Sequence, residues 1–556
     1  MSPLNGAGRI DLSFFIIAYE MLYSFCMRFV SGHVFSVCIG LLLAFNNGCK
    51  SDADQDENST DGSGSSDDGG SDSGGEPVLD GMANLSDRGM LDTRGLKAFP
   101  GAEGGGQDSN GGRGGELVIV NTTDCSDQAG DGKVSWKEAW QASGDVAPGD
   151  RTVVFSVGGL FDCGRNTEEA FVRAQGELTV ACQTAPPPGV NIAAFRVEYK
   201  GEENVIMRGC QFLSHDISGD AASMFRVVTT GSSSNIIVDR VTGLHGPDDF
   251  TMAFISSNNN TDTFTNITLS NSIIAEGDAY STHSEAMPAS GTPNRYQHSH
   301  GPGCSAGVNV NGRQIMNCSF VGNLMAHNNR RNPKFWNSSG QVIGNMMYNP
   351  GETGAMVLQR SAPEIDVWLT DNFVKFGPNT DFSEIEGNGY RLQADGRSRV
   401  RMERNKYQLA NNGAIMDEIE RLDTPAIPEM TFQPLRDWTE ENAFDCLGAK
   451  HRDANVDRII EEVKSATGEI GIGSFGDPQL NDGDAGRHWL ASEGGDPNYY
   501  TSTAHPDDYD TDNDGMADEW EEANGLIVGT RDHNDDLDGD GYTNVEEFAN
   551  SLLRCK

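Results

Sequence analysis

The stretch that decides the fold reads Asn204-Val-Ile-Met-Arg-Gly-Cys-Gln-Phe212, and five similar segments follow it. These are Asn235-Ile-Ile-Val-Asp-Arg-Val241, Asn266-Ile-Thr-Leu-Ser-Asn-Ser-Ile-Ile274, Gln314-Ile-Met-Asn-Cys-Ser-Phe320, Gln341-Val-Ile-Gly-Asn-Met-Met-Tyr348 and Asp366-Val-Trp-Leu-Thr-Asp-Asn-Phe373. Each contains a short β-branched strand, a polar or glycine corner and a second short strand. Their starts are 31, 31, 48, 27 and 25 residues apart. A period of about 20–50 residues indicates stacked repeats that bury their apolar sides only against neighbours.

No helical period separates these strands, which argues against a doubly wound sheet. The pattern predicts an all-β chain folded as a parallel β-helix, with one rung per repeat and asparagines at the corners. An antiparallel sandwich with strands of similar length is the alternative. The wide step between the third and fourth segments indicates a long insertion at 276–312. Long loops on a rigid scaffold often carry function.

Negative charge is concentrated at two places in the chain. The 556 residues carry a formal net charge of −43. Residues 51–80 contribute −10 and residues 503–547 contribute −15, so more than half of the charge lies in two short stretches. No basic stripe is present to balance phosphate charge, which argues against a nucleic-acid partner. Acidic clusters instead suggest divalent cations.

The N-terminal region reads as an export signal and a tether. Met27 is a second plausible start, and the apolar run at 34–45 is too short to span a membrane but fits a signal-peptide core. Cys49 resembles a lipoprotein cleavage site, and plain secretion is the alternative. We predict a leader at 1–49, an acidic Ser/Asp/Gly linker at 50–92, a β-helix at 93–500 and a tail at 501–556. The expected location is outside the cell or on its surface, including a lipid anchor in a bacterial outer membrane.

Eight cysteines remain if Cys49 and the cysteines before it are removed or modified, and an even number in an exported chain permits disulfides. Cys182 and Cys210 are 28 residues apart, about one rung, so they can stack and bridge. The other pairings stay open. We expect the protein to be a monomer.

The tail contains two twelve-residue segments with the spacing of a calcium loop, in which oxygen ligands stand at positions 1, 3, 5, 9 and 12 and glycine at position 6. The ligands predicted for the first loop are Asp510, Asp512, Asp514, Asp518 and Glu521. Those predicted for the second loop are Asp536, Asp538, Asp540, Asn544 and Glu547. The tail resembles EF-hand and thrombospondin type 3 calcium modules. Short helices are expected at Asp518–Asn524 and Asn544–Leu553.

Motifs between about residues 96 and 475 resemble the pectate lyases of polysaccharide lyase family 1, and they occur in the same order. They are Ala98-Phe-Pro-Gly-Ala-Glu-Gly-Gly-Gly106, Gly111-Gly-Arg-Gly-Gly115, Ser135-Trp-Lys-Glu-Ala139, Arg151-Thr-Val-Val-Phe155, Gln183-Thr-Ala-Pro186, Asn204-Val-Ile-Met-Arg208, His327-Asn-Asn-Arg-Arg-Asn-Pro-Lys334 and Asp453-Ala-Asn-Val-Asp-Arg458. The resemblance implies a right-handed parallel β-helix. It also implies a secreted, calcium-dependent enzyme that cleaves polygalacturonate or a related acidic polysaccharide by β-elimination.

The resemblance also implies roles for individual residues. Arg331, in an Arg-x-Pro motif, corresponds to the base that removes the proton next to the sugar carboxylate. Because a free guanidinium has a pKa above about 12, this role requires burial, nearby cations or concerted proton transfer. Lys334, His300 and Arg295 are expected to bind substrate. The calcium candidates near this site are Asp220, Asp248 and Asp249.

One segment departs from the family pattern. Glu285 stands where relatives carry a substrate-binding lysine, and this puts the exact polyuronate in doubt. A non-catalytic carbohydrate-binding β-helix and a pectin lyase that works without calcium are the alternatives. A glycoside hydrolase on the same fold would need paired carboxylates and would give a saturated product.

Overall fold

The computed structural model describes residues 95–163, 171–174, 176–193, 196–201, 204–213, 224–229, 233–246, 251–256, 264–278, 299–306, 315–351, 356–359, 365–380, 390–393, 399–409, 413, 415–417, 420–425, 427, 435–470 and 500–553. All of these belong to one compact unit, Asn84–Lys556. The leader and linker predicted for residues 1–92 lie outside the described residues. The predicted domain boundaries therefore stay predictions.

The described strands form three sheets. Sheet 1 contains Glu116–Val120, Arg151–Phe155, Leu178–Ala181, Val205–Arg208, Ser233–Asp239, Phe264–Ser270, Ile315–Val321, Ser339–Ile343, Asp366–Thr370, Arg399–Glu403 and Arg421–Leu422. Sheet 2 contains Val157–Asp162, Val190–Ala193, Gln211–Leu213, Thr242–Leu244, Ile273–Ala275, Leu324–Ala326, Met346–Tyr348, Phe373–Lys375, Lys406–Gln408, Ile415–Asp417 and Thr503–Ala504. Sheet 3 contains Phe171–Ala174, Arg196–Gly201, Phe225–Thr229, Met252–Ser256, Gly303–Ala306, Lys334–Trp336, Met356–Gln359 and Tyr390–Gln393.

Each rung passes through the three sheets in turn, and the next rung pairs in parallel with it. One rung runs from Phe264–Ser270 through Ile273–Ala275 to Gly303–Ala306, and the next begins at Ile315–Val321. Among the described strands, antiparallel pairing occurs only where Arg421–Leu422, Ile415–Asp417 and Thr503–Ala504 join the sheets. The predicted parallel β-helix is confirmed, and the antiparallel sandwich is excluded.

Sheet 1 follows the predicted register up to the insertion and then departs from it. Asn235 pairs with Asn266, as the spacing of 31 predicted. After the insertion, Asn317 stands beside Asn266, so the register expected for Gln314 is wrong by three residues. Asn317 Nδ2 donates to Asn266 Oδ1 at 3.3 Å, and Asn266 Nδ2 donates to Asn235 Oδ1 at 2.9 Å. This amide ladder explains why asparagine recurs at the start of the repeat.

A second asparagine ladder occupies the corner between sheets 1 and 2, in agreement with the prediction of corner asparagines. Its members are Asn323, Asn345, Asn372 and Asn405. Asn345 Nδ2 donates to Phe320 O at 2.8 Å, and Asn345 Oδ1 accepts from the backbone N–H of Asn323 at 2.9 Å. Each buried amide thus pairs with a carbonyl and an N–H of the preceding rung, which an apolar corner would leave unpaired.

The core between the sheets is a stack of apolar side chains, including the ring pairs Phe212–Phe225 at 5.0 Å and Phe320–Phe335 at 5.6 Å between centroids. Cys182 and Cys210 form the predicted disulfide between adjacent rungs. Disulfides also join Cys125 to Cys163 and Cys304 to Cys318, pairings that the sequence left open.

Four α-helices of the described residues surround the rungs: Trp136–Gln141, Ala454–Ser465, Asp518–Asn524 and Asn544–Ser551. Short 3₁₀ helices lie at Cys182–Thr184 and Glu441–Phe444. The second α-helix starts at an Asp453 cap and buries Val456, Ile459, Ile460 and Val463 against sheet 2. In the part of the chain that is described, no helix has the length and apolar character needed to cross a membrane.

The tail packs against the first rungs of the β-helix. Its two predicted helices are present, although the second ends at Ser551. Met516 and Phe548 share an apolar cluster with Val154 of sheet 1. Arg113 Nε donates to both carboxylate oxygens of Glu546, at 2.9 and 2.8 Å, and both side chains are buried. Apolar packing and an ion pair with a bifurcated hydrogen bond therefore fasten the tail to the scaffold.

Candidate active site and calcium loops

Two of the predicted active-site residues, Arg331 and His300, lie in segments that connect a sheet 2 strand to the following sheet 3 strand, which we call the exit loops. Arg331 lies in the exit loop between Leu324–Ala326 and Lys334–Trp336. His300 lies in the preceding one, before Gly303–Ala306. Asp220, Asp248, Asp249 and Arg295 lie outside the described residues, and their proposed roles stay predictions.

Buried amides hold the backbone around Arg331. Asn328 Nδ2 donates to Asn332 Oδ1 at 3.0 Å, and Asn332 Nδ2 donates back to Asn328 O at 3.1 Å. Asn328 Oδ1 also accepts from the backbone N–H of Gly277 in the previous exit loop, at 2.9 Å. Asn328 and Asn332 are at most 2% exposed, whereas the Arg331 side chain reaches partly into solvent. The loop therefore holds the partly exposed Arg331 on a hydrogen-bonded backbone.

The Arg331 backbone is in the left-handed region, with φ of 62°. Left-handed residues also recur in register at the entrance to four exit loops, namely His245, Glu276, His327 and Asn349. Those four are aligned by the rung repeat, whereas Arg331 lies outside that alignment. A left-handed non-glycine residue costs on the order of 1–2 kcal/mol and is kept only where its surroundings fix it.

His300 and Lys334 stand on adjoining rungs near Arg331. His300 forms an isolated parallel bridge with Arg330, and the backbone N–H of Gly301 donates to Arg330 O at 3.0 Å. Lys334 begins its sheet 3 strand opposite Gly303, with its ammonium 4.8 Å from the centroid of the Trp336 ring. His300 is 1% exposed and Lys334 is 5% exposed. The structure thus brings Arg331, His300 and Lys334 into one region and buries the last two.

A network of charged side chains holds the first residues of these exit loops against the Ala454–Ser465 helix, and the sequence did not predict it. Glu276 is fully buried, and its Oε1 and Oε2 lie 2.7 and 2.9 Å from Nη2 of Arg458 on the Ala454–Ser465 helix. Nε2 of His327 lies 3.0 Å from Oε2 of Glu462 on the same helix. Arg458 belongs to the family-like Asp453–Arg458 motif, which marked it as a residue of interest in the sequence. Its partner Glu276 is 182 residues away, so the motif could not indicate the pair.

Burial sets the charge state of His245, which lies beside Glu276 of this network. Desolvation lowers the pKa of the fully buried His245 below its ordinary value, and the nearby Glu276 carboxylate only partly opposes this. His245 Nδ1 is 4.0 Å from Glu276 Oε2, too far for a hydrogen bond. The neutral imidazole therefore acts as a packing group beside the Glu276–Arg458 pair.

The carboxylates around the first tail loop form two groups that share Asp514. Oxygens of Asp510, Asp512 and Asp514 lie within 4.8 Å of one another. A second group joins Asp514 to Glu521 and to Asp532, which stands outside the loop and was not predicted. Asp518, at position 9, accepts a hydrogen bond from the backbone N–H of Thr511 at 2.9 Å, which is an internal loop contact.

Two of these carboxylates are buried, and neither forms an ion pair with a basic side chain of the described residues. Burial, with the charge of Asp514 as the next largest cause, raises the pKa of Glu521 to about 8. Burial likewise raises the pKa of Asp514 to about 7. Glu521 is 0% exposed, and neither of its carboxylate oxygens has a hydrogen-bond partner among the residues that the structure describes. A hard cation with oxygen ligands, such as calcium, fits this donor set.

The second tail loop is more open. Oxygens of Asp536, Asp538 and Asp540 lie within 4.8 Å of one another. The Asn544 side chain is occupied by the loop itself, because its Oδ1 accepts from the backbone N–H of Leu537 at 3.1 Å. Glu547 is not part of this group among the described residues. Three of the five predicted ligands of the second loop therefore converge.

No protein-family model matches the chain. It is similar to a protein named probable pectate lyase C from Aspergillus flavus, with 27% identity over 472 residues that cover 83% of this chain and 95% of that protein. The protein of the same name from Aspergillus terreus is 27% identical over 475 residues, covering 82% and 94%. A solved pectate lyase from Paenibacillus sp. 0602 is 12% identical, covers 57% of this chain and 83% of its own, and gives a TM-score of 0.34. A TM-score of this size does not bear on function.

Proposed function

We propose that this chain is a pectate lyase, a carbon–oxygen lyase that cleaves polygalacturonate or a related acidic polysaccharide by β-elimination. The observation that carries the proposal is the similarity to proteins named probable pectate lyase C, which extends over 94% or more of two such proteins. The parallel β-helix and the arrangement of Arg331, His300 and Lys334 on adjoining rungs support it. We also propose that the protein is exported.

Arg331 is the proposed base. It accepts the proton from the carbon next to the uronate carboxylate, the released electron pair forms a carbon–carbon double bond, and the bond to O4 breaks. The leaving O4 takes up a proton from water and Arg331 returns its proton to water, so that protons and charge balance. The fixed backbone between Asn328 and Asn332 favours this role, because a base acts efficiently only within hydrogen-bond reach of the proton that it removes.

Calcium is the proposed cofactor. Asp220, Asp248 and Asp249 are the residues that would hold it near the substrate. When bound there, the ion withdraws charge from the substrate carboxylate and so stabilises the carbanion-like transition state. The two tail loops are proposed to bind further calcium with a structural role, and the unpartnered Glu521 carboxylate supports this for the first loop.

The decisive experiment follows ultraviolet absorbance of the unsaturated product during digestion of polygalacturonate, with calcium and with a chelator. We expect unsaturated product that disappears with the chelator. Saturated products alone would assign the chain to the hydrolases, and no products at all would favour a carbohydrate-binding role. Activity on methylated pectin without calcium would favour a pectin lyase.

Arg331→Ala tests the residue assignment. We expect turnover to fall at least about 100-fold, the usual scale for a positioned acid or base, while the far-UV circular dichroism stays unchanged. Arg404→Ala is the matched control, because Arg404 is an exposed arginine paired with Asp371 on a corner away from the exit loops. Near-normal turnover of Arg331→Ala would show that another group is the base.

A further inference from the structure

The first tail loop has an additional candidate ligand beyond its own sequence. We propose that Asp532 completes a calcium site with Asp514 and Glu521, and that this ion clamps the tail onto the first rungs of the β-helix. The proposal rests on the calcium loops proposed above but not on lyase activity.

Glu521 is the observation that points to a ligand. It is completely buried, and neither of its carboxylate oxygens has a hydrogen-bond partner in the described part of the chain. One of these oxygens lies within 4.8 Å of an oxygen of Asp514 and of an oxygen of Asp532. Burying an unpaired carboxylate is costly unless a cation or proton compensates it. Calcium takes 6–8 oxygen ligands, at about 2.3–2.6 Å, so three convergent carboxylates are typical partners.

The chain fixes Asp532 where it can reach this site. The backbone N–H of Asp532 donates to Asp514 Oδ2 at 3.3 Å, and Asn544 Nδ2 donates to the carbonyl oxygen of Asp532 at 2.9 Å. Asn544 belongs to the second loop. An ion held by Asp514, Glu521 and Asp532 would therefore join the first loop to the segment that leads into the second.

The same loop touches the β-helix, so the ion would affect more than the tail. Met516 follows Asp514 by two residues, is completely buried, and packs with Val154 of sheet 1. A Cβ placed on Gly515 would lie 3.0 Å from Val154 Cγ2 and 3.3 Å from Leu117, so the loop backbone lies directly on these strands. Ordering the loop around an ion should therefore stabilise its contact with the scaffold.

Calorimetric calcium titration and thermal unfolding of the full chain test the clamp. For Asp532→Asn, which preserves shape, we expect at least about tenfold weaker binding at one site, the lower end of the loss that even outer-shell residues cause at metal sites. The calcium-induced rise in melting temperature should shrink in parallel. Without calcium, the variant should be as stable as the parent or more stable, because a repelling carboxylate is gone.

Glu522→Gln is the matched control, since Glu522 is exposed on the same helix. It should bind calcium like the parent. If Asp532→Asn behaves like this control while Glu521→Gln binds weakly, the loop binds calcium without Asp532 and the clamp is refuted. If Asp532→Asn lowers the melting temperature equally with and without calcium, Asp532 has only a structural role. If the parent chain takes up no calcium, both the clamp and the calcium loops are refuted. Arg331→Ala should bind calcium at the clamp like the parent, because the clamp does not depend on lyase activity.

Discussion

Replacing Arg458 by methionine should destabilise the protein substantially, because it leaves a buried carboxylate without its partner. Glu276 is 0% exposed, and Arg458 Nη2 contacts both of its oxygens. Removing one member of a buried ion pair costs about 3–5 kcal/mol. For a unit spanning Asn84–Lys556, about 2.1 cal/mol/K per residue gives an unfolding entropy near 1 kcal/mol/K. The melting temperature should therefore fall by about 3–5 °C.

Differential scanning calorimetry at fixed pH and calcium concentration provides the assay, with a double-mutant cycle to isolate the pair. Glu276→Gln combined with Arg458→Met should recover much of the loss, since neither charge then remains buried. Lys464→Met is the matched control: it removes an exposed pair with Glu461 from the same helix and should cost less than about 1 kcal/mol. The reasoning is refuted if Arg458→Met costs no more than Lys464→Met.

Two further substitutions test the corner ladder and the buried histidine. Asn345→Ala should cost about 3–4 kcal/mol, because it leaves the Phe320 carbonyl and the Asn323 N–H without their partners at 2.8 and 2.9 Å; chemical denaturation measures this, and a loss below about 1 kcal/mol would contradict it. His245 has a lowered pKa, so the unfolded chain binds the proton more readily. Its contribution to stability is complete above the ordinary histidine pKa and is lost as pH falls below it, by at most about 1.4 kcal/mol per pH unit. His245→Gln should flatten this slope in unfolding curves between pH 5 and 7, and an unchanged slope would assign it to other groups.

The repeat was predictable where the rungs have constant length. The spacing of 31 placed Asn235 beside Asn266, because equal rungs preserve the alternation of buried and exposed side chains. The predicted register failed at Gln314, because the long exit segment changes the number of residues in that rung. After this segment, Asn317 pairs with Asn266 and donates a hydrogen bond to its side chain. The Cys182–Cys210 bridge was predictable because its spacing of 28 is close to the length of one rung, although the strand register pairs Ala181 with Arg208 and so offsets the two cysteines by one residue.

The tail motif predicted its convergent aspartates but not Asp532, which lies eleven residues beyond the loop. A linear motif describes ligands that one loop supplies by itself. The position of Asp532 depends on how the two loops pack against each other, and this packing includes the hydrogen bond from Asn544 to the Asp532 carbonyl. Contacts between separate loops do not require a fixed spacing in the sequence, so no motif shows them. The same limit applies to Glu276 and Arg458, which no local pattern connects.

Long-range polar pairs have a distinct role in this architecture. Rungs of a solenoid contact mainly their neighbours, so sheet hydrogen bonds alone would leave the covering helix and the tail free to separate from the rungs. The Arg458–Glu276 pair fastens the helix that supports the exit loops, and the Arg113–Glu546 pair fastens the tail. Both pairs join segments that are far apart in sequence, and both are largely removed from water. Removing one member of either pair therefore leaves a buried charge without its partner. Through its contacts with Glu276 and His327, the Ala454–Ser465 helix thereby supports the exit loop that carries Arg331, and the role proposed for Arg331 would require such a fixed position.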